Sequence, residues 1–128
     1  MPNIIDTNVA IRLRDQDSAI KARLQSLDDA VLLSVISRVE LEGGVYSAPA
    51  RSRLRRAMLD LMLATMPVVP FTDAAAGAYG RIVAAVGYSR RKVIDRMIAA
   101  QALIHSATLV TMNPSDFNDV PGLRVIAW

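Results

Sequence analysis

The chain has 128 residues, of which 52% are hydrophobic and 21% are charged, so we expect one globular domain over residues 1–128 rather than a disordered chain. It contains no cysteine, which excludes disulfides, thiolate chemistry and cysteine-ligated zinc. The formal net charge is +3. The sequence has no charged-then-apolar leader and no apolar run long enough to cross a bilayer, so we expect a soluble, cytoplasmic protein with no membrane partner.

Short runs rich in Val, Ile and Leu alternate with longer helical patterns along the whole chain. The predicted strands are Asn3–Asp6, Ala30–Ser34, Pro67–Phe71, Thr108–Thr111 and Arg124–Ala127. The predicted helices are Val9–Arg14, Ser18–Leu27, Ser37–Tyr46, Arg51–Thr65, Ala74–Val86 and Lys92–Ser106. The strand runs are too continuous to leave one face in water. This pattern predicts an α/β fold in three layers, with a parallel sheet of four to five short strands flanked by helices.

A carboxylate, Asp6, ends the first predicted strand and is followed by Thr7 and Asn8. In open parallel sheets, functional residues collect at the carboxyl ends of the strands, which favours a role for Asp6 in a site. Asp is also a good residue to cap a helix, and a helix is predicted to begin just here. Both interpretations stay open at this position.

A second acid, Glu40, lies about one helical turn beyond the second predicted strand. It is a candidate for the same site because that strand ends at the same edge of the sheet. The spacing Ser37-x-x-Glu40 also matches a capping box, in which Ser37 caps the helix and Glu40 bonds back to its amide. Glu42 falls on a different face of the helix and is a weaker candidate.

A third acid, Asp95, lies in the first part of the last long predicted helix. Ala99 and Ala102 share its face, and these small residues leave room for a metal ion with its water. An acid near a helix N-terminus is also favoured electrostatically, which is the structural alternative.

A fourth acid, Asp116, follows the strand that Thr111 closes. Asn113 and Pro114 between them are typical of a turn. An Asx-turn or a helix cap is the alternative for Asp116, and also for Asp119.

Four carboxylates that converged would repel one another and would need a cation or protons to neutralise them. Oxygen ligands without His or Cys suit Mg²⁺ or Mn²⁺, which can polarise a phosphodiester and generate hydroxide from water. Two basic clusters could contact phosphates, although a solvated helix face is the simpler interpretation of either one. Their members are Arg51, Arg53, Arg55 and Arg56, and then Arg90, Arg91 and Lys92. Together these residues predict metal-assisted cleavage of a nucleic acid.

The chain resembles the PIN-domain ribonucleases, and among them the VapC-type toxins of prokaryotic toxin–antitoxin pairs. The resemblance rests on "IIDTNV", "SVISRVELEGGV", "VIDRMIAAQAL" and "LVTMNPSDFNDVPGLRVIAW", in this order and spacing. It implies that the catalytic and metal-binding acids are Asp6, Glu40, Asp95 and Asp116. Asn113 matches a recurrent polar residue of the family, and Thr7, Asn8 and Thr111 are expected to support the acids.

The resemblance implies an Mg²⁺- or Mn²⁺-dependent endoribonuclease toxin that cuts structured RNA, such as tRNA or rRNA, and so inhibits translation. It also implies a homodimer, a VapB-like antitoxin as partner in a hetero-oligomer, and contact with operator DNA only through that antitoxin. Two alternatives stay open: a catalytically weak PIN module in a DNA-binding repressor complex, and a non-toxic RNA-processing nuclease. The presence of all four acids argues against an inactive enzyme.

Arg96 departs from the family pattern, because the residue after the helix acid is often apolar there. From the sequence, Arg96 could pair with a site carboxylate, contact phosphate or point to solvent.

Three methionines, Met58, Met62 and Met66, repeat every four residues along one predicted helix. Core packing is the default interpretation of such a stripe. The resemblance also makes an adaptable groove for a partner helix plausible.

Overall fold

The computed structural model describes residues 1–128 and contains five strands and six helices. The strands are β1 (Asn3–Ile5), β2 (Val31–Ser34), β3 (Val68–Val69), β4 (Thr108–Thr111) and β5 (Arg124–Ala127). The helices are α1 (Thr7–Arg14), α2 (Ser18–Gln25), α3 (Val35–Tyr46), α4 (Ser52–Thr65), α5 (Asp73–Val86) and α6 (Val93–Ile104). Short 3₁₀ turns occupy Pro49–Arg51, Arg90–Lys92 and Pro114–Asp116.

All five strands are parallel and lie in the order β3-β2-β1-β4-β5, which confirms the predicted α/β fold with a parallel sheet. Successive residues of a strand point to opposite faces, so each short strand serves two cores. Ile4, opposite Leu109, packs on the face covered by α5 and α6. Ile5, opposite Val110, packs on the face covered by α1 to α4. The three layers explain why the strand runs are apolar throughout.

The inner face of helix α6 contains three alanines that pack in the core. Ala99, Ala100 and Ala102 are all 0% exposed and belong to the core between α5, α6 and the sheet. The prediction that Ala99 and Ala102 leave room for a metal ion is therefore wrong, since the core fills that space.

Several element boundaries differ from the prediction for local reasons. Strand β1 ends at Ile5, and Asp6 is the N-cap of α1. The edge strand β3 is only two residues long because it pairs with β2 only at Val68 and Val69. Parallel pairing brings the carboxyl ends of all five strands to one edge of the sheet, and the loops after them form the candidate site.

None of the six helices has the length and apolar character that a bilayer crossing requires.

Candidate active site

Asp6 lies at the carboxyl edge of the central strand and is only 4% exposed. Its Oδ1 accepts a hydrogen bond of 2.8 Å from the backbone amide of Thr7. Its Oδ2 accepts one of 2.9 Å from the hydroxyl of Thr111, at the end of the neighbouring strand β4. The capping interpretation of Asp6 is confirmed, and the same side chain lies at the edge where parallel sheets place functional residues.

Glu40 approaches the same edge from the exposed side of α3. The Thr7 hydroxyl donates a 2.8 Å hydrogen bond to Glu40 Oε1 and lies 2.8 Å from the hydroxyl of Ser37. A threonine hydroxyl has one proton to donate, so Ser37 is the donor in that second contact. Thr7 thus links the two carboxylates, because its backbone amide donates to Asp6 and its hydroxyl donates to Glu40.

The capping-box interpretation of Ser37 and Glu40 is wrong. Helix α3 begins two residues earlier than predicted, because Ser34 is its N-cap and accepts a 3.0 Å hydrogen bond from the amide of Ile36. Ser37 is buried inside the helix and faces α1. Glu40 therefore has no capping partner, and its carboxylate is held by Thr7 instead.

Asp95 lies in the first turn of α6 and is half-buried. Burial, followed by the negative charges of Asp6, Asp116 and Glu40, raises the pKa of Asp95 to about 6, and the positive charge of Lys92 opposes this shift. Each of the other three acids thus adds to the cost of ionising Asp95.

The pKa of Asp6 is also raised, chiefly by burial. The hydrogen bonds from Thr111 and Thr7 oppose this shift, while the charges of Glu40 and Asp116 add to it. Four acids from four different loops and helices therefore act on one another through space, and the negative field at this edge disfavours full ionisation.

Asp116 is positioned by the 3₁₀ turn that follows β4. The hydroxyl of Thr111 accepts a 3.0 Å hydrogen bond from the amide of Asn113, where that turn begins. Thr111 thus contacts both Asp6 and the segment that carries Asp116. The side chains of Asn8 and Asn113 form no hydrogen bond with any of the acids, and both line a shallow surface cavity of about 420 Å³.

The donor set fits a hard divalent cation, because it consists of carboxylates whose mutual repulsion a cation would relieve. No three of the Asp, Glu and His side chains are spaced to bind one metal ion as they stand. Mg²⁺ usually binds one or two protein carboxylates and keeps several waters, so a closed ligand cage is not required. Among the acids, Asp6 exerts the largest charge effect on Asp95.

Gln101 is a supporting residue of this edge that the sequence interpretation missed. It is 0% exposed, accepts a hydrogen bond from the Ser34 hydroxyl and donates bonds of 3.1 Å to the carbonyls of Val69 and Pro70. It thereby fastens α6 to the carboxyl ends of β2 and β3. Its signal in the sequence was a single amide within the otherwise apolar stretch "MIAAQALI".

Arg96 contacts none of the four acids and does not point to solvent. It is 3% exposed, and it donates hydrogen bonds of 2.7 Å to the Gly87 carbonyl and 3.3 Å to Asp119 Oδ2. Lys92 lies 3.6 Å from the same Asp119 oxygen. Arg96 therefore holds the start of α6 to the preceding loop and to the segment after Asp116.

Glu42, the weaker candidate, faces away from the site. It forms ion pairs with Arg56 of α4 and with Arg38, and the hydrogen bonds from Arg56 hold the pKa of its carboxyl below the usual range. Glu42 therefore links the two helices of the α3–α4 hairpin.

Comparison with known proteins identifies the class that this fold and acidic edge define. Residues 4–123 match the PIN domain family, and the chain belongs to that family, as its sequence motifs predicted. It is 27% identical over 128 residues to the tRNA(fMet)-specific endonuclease VapC of Shigella flexneri. That alignment covers 98% of this chain and 96% of the relative.

Two solved structures have the same fold over the whole chain. A chain of VapBC2 from Rickettsia felis, bound to a DNA fragment from its promoter, superposes with a TM-score of 0.87 at 24% identity, covering 100% of this chain and 99% of that one. A chain of DNA-bound VapBC from Salmonella typhimurium gives a TM-score of 0.85 at 25% identity, with the same coverage of 100% and 99%.

Proposed function

We propose that the protein is a divalent-metal-dependent endoribonuclease toxin of a toxin–antitoxin pair, built as one nuclease domain over residues 1–128. Its substrates are structured RNAs such as tRNA or rRNA, whose cleavage inhibits translation. The observation that carries this proposal is the mutual electrostatic effect of Asp6, Glu40, Asp95 and Asp116 at the carboxyl edge of a PIN-family sheet. The named specificity of the Shigella flexneri relative for tRNA(fMet) favours RNA as the substrate.

The proposed catalytic residues divide into acids and the groups that orient them. Asp6 and Asp95, with Glu40 and Asp116 beside them, would hold Mg²⁺ or Mn²⁺, which when bound would polarise the phosphodiester and lower the pKa of water. Thr111 and the Thr7 amide fix the two oxygens of Asp6 in place. These bonds use one lone pair on each oxygen and leave the others free for a cation or a water.

The basic residues next to Asp95 are suited to hold the substrate. Arg90 and Arg91 are exposed on the 3₁₀ turn that leads directly into α6. Lys92, by contrast, is engaged with Asp119. Exposed arginines near the acids would attract the RNA backbone toward a site that would otherwise repel it.

We also propose that a VapB-like antitoxin docks on a groove between α1, α2 and α4. Two copies of the chain would form a homodimer, which the antitoxin binds to give a hetero-oligomer. That complex would contact operator DNA only through the antitoxin. The groove has a volume of about 540 Å³ and is lined in part by Leu13, Met58 and Leu61. Leu61 is 60% exposed, whereas Met62 is only 7% exposed and belongs to the core. Met58 and Met62 both line the groove, and Met62 also belongs to the core. The VapBC structures of similar fold favour such a partner.

The test is incubation of the purified chain with total RNA, with and without Mg²⁺ or Mn²⁺, followed by mapping of the cut ends. We expect discrete cuts in one or a few structured RNAs that require the metal. RNA left intact under all conditions would contradict the proposal.

A PIN module that acts mainly in a repressor complex is the second candidate, favoured by the DNA-bound structures of similar fold. It predicts operator binding with the antitoxin but no cleavage. A non-toxic processing nuclease would cleave RNA without arresting growth. Expression of the chain in cells, with and without the product of any small reading frame immediately upstream, distinguishes these two candidates from a toxin. A toxin arrests growth only when that product is absent.

A further inference from the structure

We propose that a cavity between the end of α1 and the start of α4 is an oxyanion site that takes a phosphate group. The cavity has a volume of about 250 Å³, and three arginines line it together with one acid. These residues are Arg14, Arg51, Arg55 and Asp15. None of them belongs to the acidic edge described above.

Arg14 is the anchor of this site. Its side chain is only 4% exposed, and its single hydrogen bond runs from Nε to Oδ1 of Asp15 at 3.1 Å. The two terminal nitrogens of the guanidinium form no hydrogen bond within the protein, and neither is a fully buried unpaired atom. A Cβ on Gly44 would lie 2.7 Å from Nη1, so the bare glycine backbone is what lets the guanidinium lie here. These donors are therefore available to a polar group that enters the cavity.

Arg55 brings a second group of unused donors to the same cavity. Its Nη1 donates a 2.7 Å hydrogen bond to the carbonyl of Gly44, but its Nε is buried and has no partner. Arg51, on the 3₁₀ turn before α4, is exposed and forms no side-chain hydrogen bond. Three arginines with unpaired donors therefore line a cavity in which Asp15 is the only acid.

The chemistry of the cavity selects a phosphate. Three guanidinium groups face one carboxylate, so the cavity carries net positive charge. Guanidinium groups match the oxygens of a phosphate with paired, charge-assisted hydrogen bonds. The volume far exceeds the roughly 30 Å³ that one water takes up, so a tetrahedral oxyanion has room.

The position of the cavity points to the RNA backbone as the source of that phosphate. Gly44 lies one helical turn beyond Glu40 on the same face of α3, about 6 Å along the helix axis. On α1, Thr7 contacts Glu40 and Arg14 lies beside Gly44 about 10 Å further along, so the contact between α1 and α3 leads from the acids to the cavity. A strand of RNA at the acidic edge would carry further phosphates along this contact. This choice of source rests on the proposed nuclease function, whereas a free phosphate or nucleotide presents the same group.

The first experiment measures thermal unfolding of the metal-free chain in inorganic phosphate and in chloride at equal ionic strength. Phosphate should raise the Tm of the wild type, and this rise should be abolished in the double variant Arg51→Gln/Arg55→Gln. The matched control is Arg53→Gln, an exposed arginine of α4 that does not line the cavity and should keep the rise. If the double variant unfolds, the single variant Arg51→Gln, which removes no hydrogen bond or ion pair within the protein, should still reduce the rise. Equal shifts in all variants, or equal shifts in phosphate and chloride, would overturn the proposal.

The second experiment identifies the source of the phosphate. Binding of a short RNA is measured in EDTA at several salt concentrations, so that no cleavage is required. If the backbone supplies the phosphate, the double variant binds more weakly and its slope of log K against log salt falls by about one relative to Arg53→Gln. If only the effect of inorganic phosphate is lost, the site stands and belongs to a free phosphate or nucleotide. The phosphate measurement does not depend on nuclease activity, so a chain that proved unable to cut RNA would leave this site intact.

Discussion

The hydroxyl of Thr111 donates a 2.9 Å hydrogen bond to Oδ2 of Asp6, so the end of β4 holds the carboxylate that follows β1. The two strands are neighbours in the sheet, and their register sets this contact. The same hydroxyl accepts from the Asn113 amide at the start of the turn that carries Asp116. One threonine thus fixes one acid of the site and the loop of another.

Asp6→Asn should abolish RNA cleavage and leave the fold intact. Asn caps helices as well as Asp does, and it still accepts from the Thr7 amide. Loss of a charge from a crowded acidic edge should keep or raise the free energy of unfolding. Cleavage assays and melting curves on the variant check both expectations, with Asp73→Asn, an exposed first-turn acid of α5, as control. An Asp6→Asn protein that unfolds, with activity that follows the folded fraction, would leave Asp6 only its capping role.

Glu40→Gln should reduce turnover by orders of magnitude with little change in Tm. Gln offers the Thr7 hydroxyl the same acceptor but not the negative charge that a cation needs. The control is Glu42→Gln, which weakens the ion pairs with Arg56 and Arg38 and should leave turnover near that of the wild type. Wild-type cleavage by Glu40→Gln would remove Glu40 from the site.

Thr111→Val should lower the free energy of unfolding and raise the Mg²⁺ concentration that cleavage requires. The substitution keeps the shape but removes the donor to Asp6 and the acceptor for Asn113, at a cost of about 1–3 kcal/mol in the free energy of unfolding. Without that donor the pKa of Asp6 should rise further, so half-maximal cleavage should need more Mg²⁺. Thr111→Ser keeps the hydroxyl and should stay close to the wild type in both measurements. If Val and Ser behave alike in the Mg²⁺ titration, the hydrogen bond does not support the metal site.

The metal-free protein should lose stability as the pH rises through about 6. The pKa of Asp95 is about 6 in the folded chain against a reference of 3.8, so the folded state binds the proton more tightly than the unfolded one. The stabilising effect of that proton is complete below pH 4 and is lost as Asp95 ionises. Asp6, whose pKa is also raised, contributes in the same direction.

Denaturant unfolding at several pH values in EDTA measures this effect as the difference between the wild type and Asp95→Asn. We expect the free energy of unfolding of the wild type to fall increasingly below that of the variant between pH 4 and 7. Added Mg²⁺ should restore the stability of the wild type. Parallel pH curves for the two proteins would show that Asp95 does not carry the effect.

The strands and acids of this fold were predictable because they depend on local pattern. Continuous apolar runs marked β4 and β5 with the observed bounds, since both faces of the sheet are covered. Parallel strands then placed Asp6 and the acids after other strands at one edge. The sequence motifs also indicated the PIN family correctly.

The remaining details depend on side chains that are distant in sequence. The contact of Thr7 with Ser37 spans 30 positions, and without it Ser37 was taken for a helix cap. The partners of Arg96 lie in two separate loops, so none of its three predicted roles was the observed one. The alanines near Asp95 could belong to a core or to a cavity, and only the packing of α6 decides this.

The central claim is that Asp6, Glu40, Asp95 and Asp116 act together on a divalent cation to cut RNA. Its most direct test is a Mg²⁺ titration of cleavage by the wild type and by Asp95→Asn on one RNA, with melting curves of both proteins. We predict no cleavage by the wild type in EDTA, a saturable rise with Mg²⁺, and a loss of orders of magnitude in a folded Asp95→Asn at every concentration. Cleavage by the wild type that persists in EDTA, or an Asp95→Asn titration that overlies that of the wild type, would contradict the claim.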